Sequence, residues 1–305
     1  FFKQKTAYDI GVRLVGSEMC IRDRNGMVGR VLVSVIAIPL LLGITILGEY
    51  WFAICVAGIG VLALYEVYRI IDLWGINTYR LLGLLALLGV LGNAYWNFST
   101  YITIMVVFAF IITVWHSILT VSRGFRTNTS DVVSTDAGHK RISSLLFTTL
   151  GLVYIAWPLS LAISIREWHD GVYWILLVML GTFATDTASF LVGKTFGRHK
   201  LAPSISPNKT VEGAVGGVIL GAIAILTLID VFSLDFISFQ VEIIFAILIT
   251  ISAQIGDLLE STMKRRALIK DAGSIIPGHG GVLDRLDSVI LVLLFVYYSR
   301  LWVIN

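Results

Sequence analysis

Residues 211–231 read VEGAVGGVILGAIAILTLIDV, with charge confined to Glu212 and Asp230 near the two ends. A helix needs about 20 apolar residues to cross about 30 Å of hydrocarbon, so this stretch predicts a transmembrane helix. Eight more apolar runs lie near residues 30–48, 51–71, 81–98, 101–121, 144–165, 172–193, 241–263 and 287–304. We therefore predict an all-α, polytopic integral membrane protein with about nine transmembrane helices.

The composition of the 305 residues also indicates a bilayer as the solvent. Apolar residues make up 57% of the chain and charged residues 14%, against roughly 25% charged residues in soluble proteins. Residues 1–24 differ from the rest and resemble translated sequencing-adapter read-through, so we treat them as a non-native leader and 25–305 as a single transmembrane catalytic domain. Without that leader the formal charge falls from +3 to +1, and we expect no nucleic-acid partner.

The basic residues predict the orientation of the helices. Short cytoplasmic loops collect Lys and Arg, and with the N-terminus inside, the outer segments hold Arg166 and Arg300 alone. The inner segments hold Arg30, Arg69, Arg80, Arg123, Arg126, Lys140, Arg141, Lys194, Arg198, Lys200, Lys209, Lys264, Arg265, Arg266, Lys270 and Arg285. This asymmetry predicts an N-inside, C-outside topology with the polar chemistry at the cytoplasmic face.

The inner segment 264–287, KRRALIKDAGSIIPGHGGVLDRLD, follows Asp257 and Glu260 in the eighth apolar run. Carboxylates at membrane depth are costly and usually face a partner or a polar cavity. Asp257 and Asp284 amid Lys and Arg have the composition of a metal–phosphate site, and such oxygen ligands suit Mg²⁺. The His279-Gly280-Gly281 turn can bring backbone N–H groups close to an anion.

A second inner segment runs from Asp186 and Lys194 to Ser206-Pro207-Asn208-Lys209-Thr210-Val211-Glu212. We expect a turn that feeds directly into a helix, whose positive N-terminus favours phosphate. Asp186 has a second interpretation, as a buried residue bonded to another helix. Glu66, inside the second apolar run, either pairs with an inner Arg such as Arg69 or lines a lipid cavity.

The segment from Ser261 to Asp287 resembles the signature of the phosphatidate cytidylyltransferases, the CDP-diacylglycerol synthases. The matching positions are Ser261, Met263, Lys264, Arg265, Lys270, Asp271, Gly273, Ile276, Pro277, His279, Gly280, Gly281, Asp284, Arg285 and Asp287. The stretch from Asp186 to Gly213 resembles a second region of that family, with Asn208 where many members have Lys. The N-terminal half is similar by topology alone.

The resemblance implies transfer of CMP from CTP to phosphatidate, giving CDP-diacylglycerol and pyrophosphate. It also implies a nine-helix homodimer in the bacterial inner membrane, with its site facing the cytoplasm. At that site it implies a metal pair, Mg²⁺ and a second metal ion, with Asp257 and Asp284 as ligands. The expected catalytic residues are Asp257, Asp284, Lys264, Arg265, Lys270, Asp271, His279, Arg285 and Asp287. The expected CTP- and phosphate-binding residues are Asp186, Lys194, Ser206, Lys209, Thr210, Glu212, Gly280 and Gly281.

Two other functions remain open from the sequence. A CTP-dependent lipid kinase would produce CDP and a phosphorylated lipid, and the HGGVLDRLD segment at 279–287 argues against it. A transporter would use an intramembrane Asp as a coupling site. We expect charges in both leaflets or an inverted repeat in a transporter, whereas the charges of this chain crowd the inner side.

Overall fold

The computed structural model describes residues 39–96, 133–234, 236, 238–273, 275 and 280–300. These residues are almost entirely helical, as the apolar runs predict. A helical segment at 39–47 comes first. The elements that follow are α1 (Glu49–Leu73), α2 (Arg80–Trp96), α3 (Val133–Arg166), α4 (Gly171–Phe196), β1 (Lys200–Ala202), β2 (Ser206–Thr210), α5 (Val211–Val231), α6 (Phe239–Arg266) and α7 (Leu283–Ser299).

Within the described residues, five helices are long and apolar enough to cross a membrane, and these are Tyr50–Leu73, Ile142–Arg166, Gly171–Phe196, Val211–Val231 and Phe239–Arg266. Their outer faces carry large apolar side chains such as Phe190 and Phe196, 66% and 70% exposed, which suits contact with lipid. The prediction of an all-α membrane protein is confirmed. The run at 101–121 lies outside the described residues, so the count of nine and the orientation stay predictions.

Helices α4 and α5 approach each other closely along a face of small residues. Gly213, Gly217 and Gly221 are buried on that face, and a Cβ on Gly217 would lie 1.8 Å from Ser189 Oγ. A larger residue at Gly217 would therefore push the two helices apart. Such close approach is how helices gain packing energy in lipid, where no hydrophobic force drives them together.

An aromatic cluster gathers at the end of the helices opposite the hairpin formed by β1 and β2. Tyr173, near the start of α4, stacks on Phe232, just after α5, with ring centroids 5.4 Å apart. The guanidinium of Arg300 lies over the Trp168 ring at 4.2 Å. Aromatic belts mark membrane–water interfaces, and both basic residues assigned to the outer side from sequence, Arg166 and Arg300, lie at this end of the described helices.

The expected turn at Ser206–Thr210 is wrong, because these residues form strand β2. β2 pairs antiparallel with β1, with Ala202 opposite Ser206 and Lys200 opposite Thr210. A tight turn joins them, in which the Ile205 N–H donates to the Ala202 carbonyl at 3.1 Å. The strands lack the apolar alternation that marks a strand in sequence, since both are short and β2 is mostly polar. The predicted helix start is confirmed: α5 begins at Val211, directly after the strand.

Candidate active site

Asp284, in the first turn of α7, is the centre of a hydrogen-bonded network. Its Oδ1 accepts a hydrogen bond from Lys264 Nζ at 2.6 Å. Its Oδ2 accepts from the backbone N–H groups of Gly281 at 2.7 Å and Ala272 at 3.0 Å. The carboxylate therefore ties the last turn of α6, the loop after it and the start of α7 to one point.

Lys264 neutralises a second carboxylate in this network. Its Nζ donates to Glu260 Oε2 at 3.0 Å, one helical turn earlier on α6. Glu260 is fully buried, and its Oε1 has no hydrogen-bond partner among the described residues. A buried carboxylate oxygen without a donor is costly, which marks this position as a candidate for binding a cation.

Asp257 lies two turns before Lys264 on α6 and connects that helix to the hairpin. Its Oδ2 forms an ion pair with Lys209 Nζ on β2 at 2.5 Å. Its Oδ1 accepts a longer hydrogen bond of 3.3 Å from Ser261 Oγ. The pair brings together the two segments that the sequence analysis treated as separate parts of a phosphate site.

Asp186 and Asp287 add two carboxylates between these pairs. Asp186 on α4 accepts a hydrogen bond of 3.5 Å from Ser288 Oγ on α7, and it is repelled by Asp287 and Asp257. Asp287 is in turn repelled by Asp257. Asp186 is half-buried and bonds another helix, in line with its second interpretation; its part in binding CTP stays a prediction.

We call these residues, together with the lysines that contact them, the carboxylate cluster: Asp186, Asp257, Glu260, Asp284, Asp287, Lys209 and Lys264. Its carboxylates outnumber its ammonium groups, and hard oxygen donors in excess suit Mg²⁺. Within the described part of the chain no three His, Cys, Asp or Glu side chains converge as a ready metal site. Because Asp257 and Asp284 each contact a lysine, coordination of a metal would require those ammonium groups to move aside.

The predicted phosphate-binding residues take several different positions. Thr210 caps α5, accepting the Gly213 N–H at 3.1 Å; its hydroxyl keeps a proton to donate. Glu212 accepts the backbone N–H groups of Arg198 and His199 at 3.0 and 3.1 Å, so it holds the approach to the hairpin rather than pointing at the cluster. Lys194 is exposed, with Nζ 5.8 Å from the Phe190 ring centroid. Ser206 is half-buried at the start of β2.

Arg265 braces the hairpin from the end of α6. Its Nε donates to the Ile205 carbonyl in the hairpin turn at 2.9 Å, and its Nη1 donates to the Ile269 carbonyl at 3.3 Å. Both bonds are to backbone, so in this structure Arg265 fixes the position of the hairpin beside the cluster.

The remaining predicted residues lie in the loop after α6 or at the start of α7, or they fall outside the described residues. Lys270, Asp271 and Arg285 are exposed. Gly280 has a positive φ of 85°, a conformation that favours glycine, and Gly281 is buried against Asp284. His279 lies outside the described residues.

Glu66 is a second residue for which the sequence leaves two roles open. It is 1% exposed and accepts the backbone N–H groups of Val282 at 3.2 Å and Leu283 at 2.8 Å, while Arg69 contributes electrostatic attraction. The signal in the sequence was a lone carboxylate inside an apolar helix, which predicts a partner but does not identify it.

Comparison of the sequence with known proteins identifies the family of this chain. The profile of the Cytidylyltransferase family matches residues 28–302. The chain belongs to this family. Among its relatives, the phosphatidate cytidylyltransferase of Bacillus subtilis (strain 168) is 32% identical over 274 residues, which make up 88% of this chain and 96% of that protein.

Two staphylococcal relatives are more similar over shorter lengths. The phosphatidate cytidylyltransferase of Staphylococcus haemolyticus is 44% identical over 125 residues, 41% of this chain and 47% of that protein. That of Staphylococcus saprophyticus is 40% identical over 153 residues, 50% of this chain and 55% of that protein. The carboxylate cluster lies within the residues that the cytidylyltransferase profile covers.

Proposed function

We propose that this chain transfers CMP from CTP to phosphatidate, giving CDP-diacylglycerol and pyrophosphate. Family membership and the names of the relatives support this reaction. The observation in the structure that carries it is the carboxylate cluster, in which Asp257 and Asp284 from successive helices meet Lys209 and Lys264. Carboxylates and lysines at one end of apolar helices suit a polyphosphate substrate and a lipid headgroup.

In the proposed reaction, a phosphate oxygen of phosphatidate attacks the α-phosphorus of CTP. A new P–O bond forms to the lipid phosphate as the bond to the leaving pyrophosphate breaks. A dedicated base is unnecessary, because a phosphate monoester with a second pKa of about 6 is mostly dianionic at neutral pH. Catalysis of such a transfer rests on positioning and on stabilisation of charge.

Asp257 and Asp284 would hold Mg²⁺, and Glu260, Asp287 and Asp186 offer further oxygen donors. When bound, the metal ion would supply charge stabilisation at the phosphoryl oxygens. Lys209 and Thr210 on the hairpin would contact the CTP phosphates with Ser206. Lys264, Arg265, Lys270 and Arg285 would hold the lipid phosphate and the pyrophosphate; the described backbone contacts of Arg265 indicate that its part includes bracing the hairpin.

The proposal includes a nine-helix homodimer in the bacterial inner membrane with the cluster at the cytoplasmic face. The orientation is supported by the concentration of basic residues at the cluster end and by the aromatic residues at the other, whereas the helix count and the homodimer rest on the family resemblance. Pro203→Cys in the hairpin and Glu167→Cys at the opposite end, each made with Cys20 and Cys55 replaced by Ser, would report the orientation. An impermeant thiol reagent added outside intact cells should label Glu167→Cys and spare Pro203→Cys; the reverse pattern would invert the topology.

The reaction is tested with purified protein in detergent–phosphatidate micelles, labelled CTP and Mg²⁺. We expect label in the lipid fraction, pyrophosphate in solution, and loss of both on chelation. Asp257→Asn should lose most of this activity. The matched control is Asp230→Asn, exposed at the far end of α5 and about 30 Å from Thr210 at 1.5 Å per residue.

Other products would redirect the assignment. CDP formed with a polyprenol acceptor, with label remaining soluble, would indicate a lipid kinase. No turnover with either lipid would reject both enzymes and leave transport as the next hypothesis.

A further inference from the structure

The carboxylate of Glu66 supports the start of α7 from a different helix. It lies in the buried core, yet both of its oxygens accept backbone N–H groups from Val282 and Leu283. These partners come more than 200 residues later in the chain. The contact is therefore a tertiary one, between α1 and the segment that carries Asp284.

This contact replaces a missing cap on α7. The first N–H groups of a helix have no partner within the helix, and the N-cap residue Val282 makes no side-chain capping bond. Glu66 instead accepts two of these N–H groups, those of Val282 and Leu283. Its negative charge also stabilises the positive end of the α7 dipole.

Two glycines enclose the same carboxylate. A Cβ on Gly273 would lie 2.2 Å from Glu66 Oε1, and a Cβ on Gly281 would lie 2.5 Å from Oε2. Both distances are too short for a real side chain, so the backbone at each end of the loop rests directly against Glu66. Glu66 therefore contacts the backbone at Gly273, seven residues after the end of α6, and at Gly281, just before α7.

Asp284 binds this loop from the other side. It accepts the N–H groups of Ala272 and Gly281. Ala272 is the neighbour of Gly273, and Gly281 itself also lies against Glu66. Gly281 thus donates to Asp284 while its Cα faces Glu66. A shift of the loop away from Glu66 would change the orientation of the Asp284 carboxylate.

We propose that Glu66 is a positioning residue of the active site. It fixes the loop backbone and the first turn of α7, so that Asp284 keeps its orientation toward Lys264 and Gly280 and Gly281 keep their place beside it. Glu66 acts through Asp284 rather than on a substrate. The expected effect on catalysis rests on the proposed function. The contact between Glu66 and the start of α7 is independent of that function.

Glu66→Gln tests it, since an amide nitrogen cannot accept the N–H groups that the carboxylate accepts. We expect kcat to fall about tenfold, as for loss of a hydrogen bond to a charged group, with KM for CTP and phosphatidate within about twofold. Because Glu66 acts through Asp284, the double variant with Asp284→Asn should lose no more activity than Asp284→Asn alone. Glu167→Gln, an exposed glutamate at the opposite end, is the matched control and should change neither quantity.

Hydrogen exchange gives a readout that does not depend on turnover. In Glu66→Gln, amides in peptides covering residues 280–287 should exchange about tenfold faster, while those covering the hairpin at 200–210 keep the wild-type rate. Glu66→Asp keeps the charge on a shorter side chain, so its exchange rate at 280–287 should lie between those of the wild type and Glu66→Gln. This variant replaces Glu66→Gln in the test if Glu66→Gln does not fold.

Wild-type kcat in Glu66→Gln, activity losses that add in the double variant, or faster exchange throughout the protein would overturn the inference. If the wild-type protein shows no turnover, the proposed function fails, and exchange at 280–287 still decides whether Glu66 holds the loop. Unchanged exchange there rejects the contact.

Discussion

Among the lysine–carboxylate pairs of the carboxylate cluster, Lys264–Asp284 and Lys209–Asp257 differ in how firmly they are held. The Lys264 and Asp284 side chains are 12% and 9% exposed, whereas those of Lys209 and Asp257 are 27% and 28% exposed. Asp284 also accepts backbone N–H groups from two loop residues. The further hydrogen bond that Asp257 accepts is a long one, from the Ser261 hydroxyl. One pair is thus part of a largely buried network that includes backbone donors, and the other is a partly exposed contact between a hairpin and a helix.

The difference in burial indicates different roles for the two ion pairs. Breaking a buried, hydrogen-bonded ion pair leaves an uncompensated charge and costs about 3–5 kcal/mol, while a partly exposed pair contributes about 0–1 kcal/mol. The Lys264–Asp284 pair therefore keeps α6, the loop and α7 in register. The Lys209–Asp257 pair can separate at low cost, which suits residues that must rearrange around a nucleotide.

The largest effect is expected from Asp284→Asn, which breaks the buried pair. We expect kcat to fall about 1,000-fold, the upper range for loss of one charged group that stabilises a transition state. The stability should fall as well, by about 3 kcal/mol, because Lys264 loses a partner. Turnover of labelled CTP measures kcat, and denaturant unfolding in detergent measures the stability. Full activity would remove Asp284 from the site.

Lysine substitutions compare the pairs directly. Lys264→Met leaves Glu260 and Asp284 as adjacent buried carboxylates and should destabilise the protein by about 3 kcal/mol. Lys209→Met should cost less than about 1 kcal/mol. Lys200→Met, on an exposed lysine of β1, is the control for loss of charge alone. Equal losses of stability for Lys264→Met and Lys209→Met would remove the distinction between the pairs.

Asp257→Asn should separate catalysis from stability. We expect a fall in kcat of about 100-fold with a change in stability below about 1 kcal/mol, since the pair that it breaks is partly exposed. Turnover at saturating CTP and unfolding of the same preparation provide the comparison. A destabilisation as large as that of Asp284→Asn would show that the second pair is structural too.

The smallest effect should come from the hairpin end of the cluster. Thr210→Ala removes the cap of α5 and should cost about 1 kcal/mol, while Thr210→Ser keeps the oxygen that accepts the Gly213 N–H and should remain near wild type. Unfolding of both variants checks this. A comparable loss in Thr210→Ser would attribute the effect to the buried methyl group instead of the cap.

The helices were largely predictable because the bilayer imposes a length on apolar segments. The predicted run at 211–231 coincides with α5, and the runs at 172–193 and 241–263 lie within α4 and α6. The strands were not predictable, because a five-residue strand without an apolar alternation pairs with one of three residues, which is too short to show a period. The hairpin depends on its turn and on Arg265, a residue that comes about 60 positions later.

The sequence by itself determined the solvent of this protein, its helices, and the residues with charges costly enough at membrane depth to require partners. The tertiary structure alone decided which partners they have: Lys209 with Asp257, Lys264 with both Glu260 and Asp284, and Glu66 with the backbone at the start of α7. The physical reason is that local periodicity places a side chain on a face of its helix. Which distant group meets that face depends on how the helices pack, and no local pattern records it.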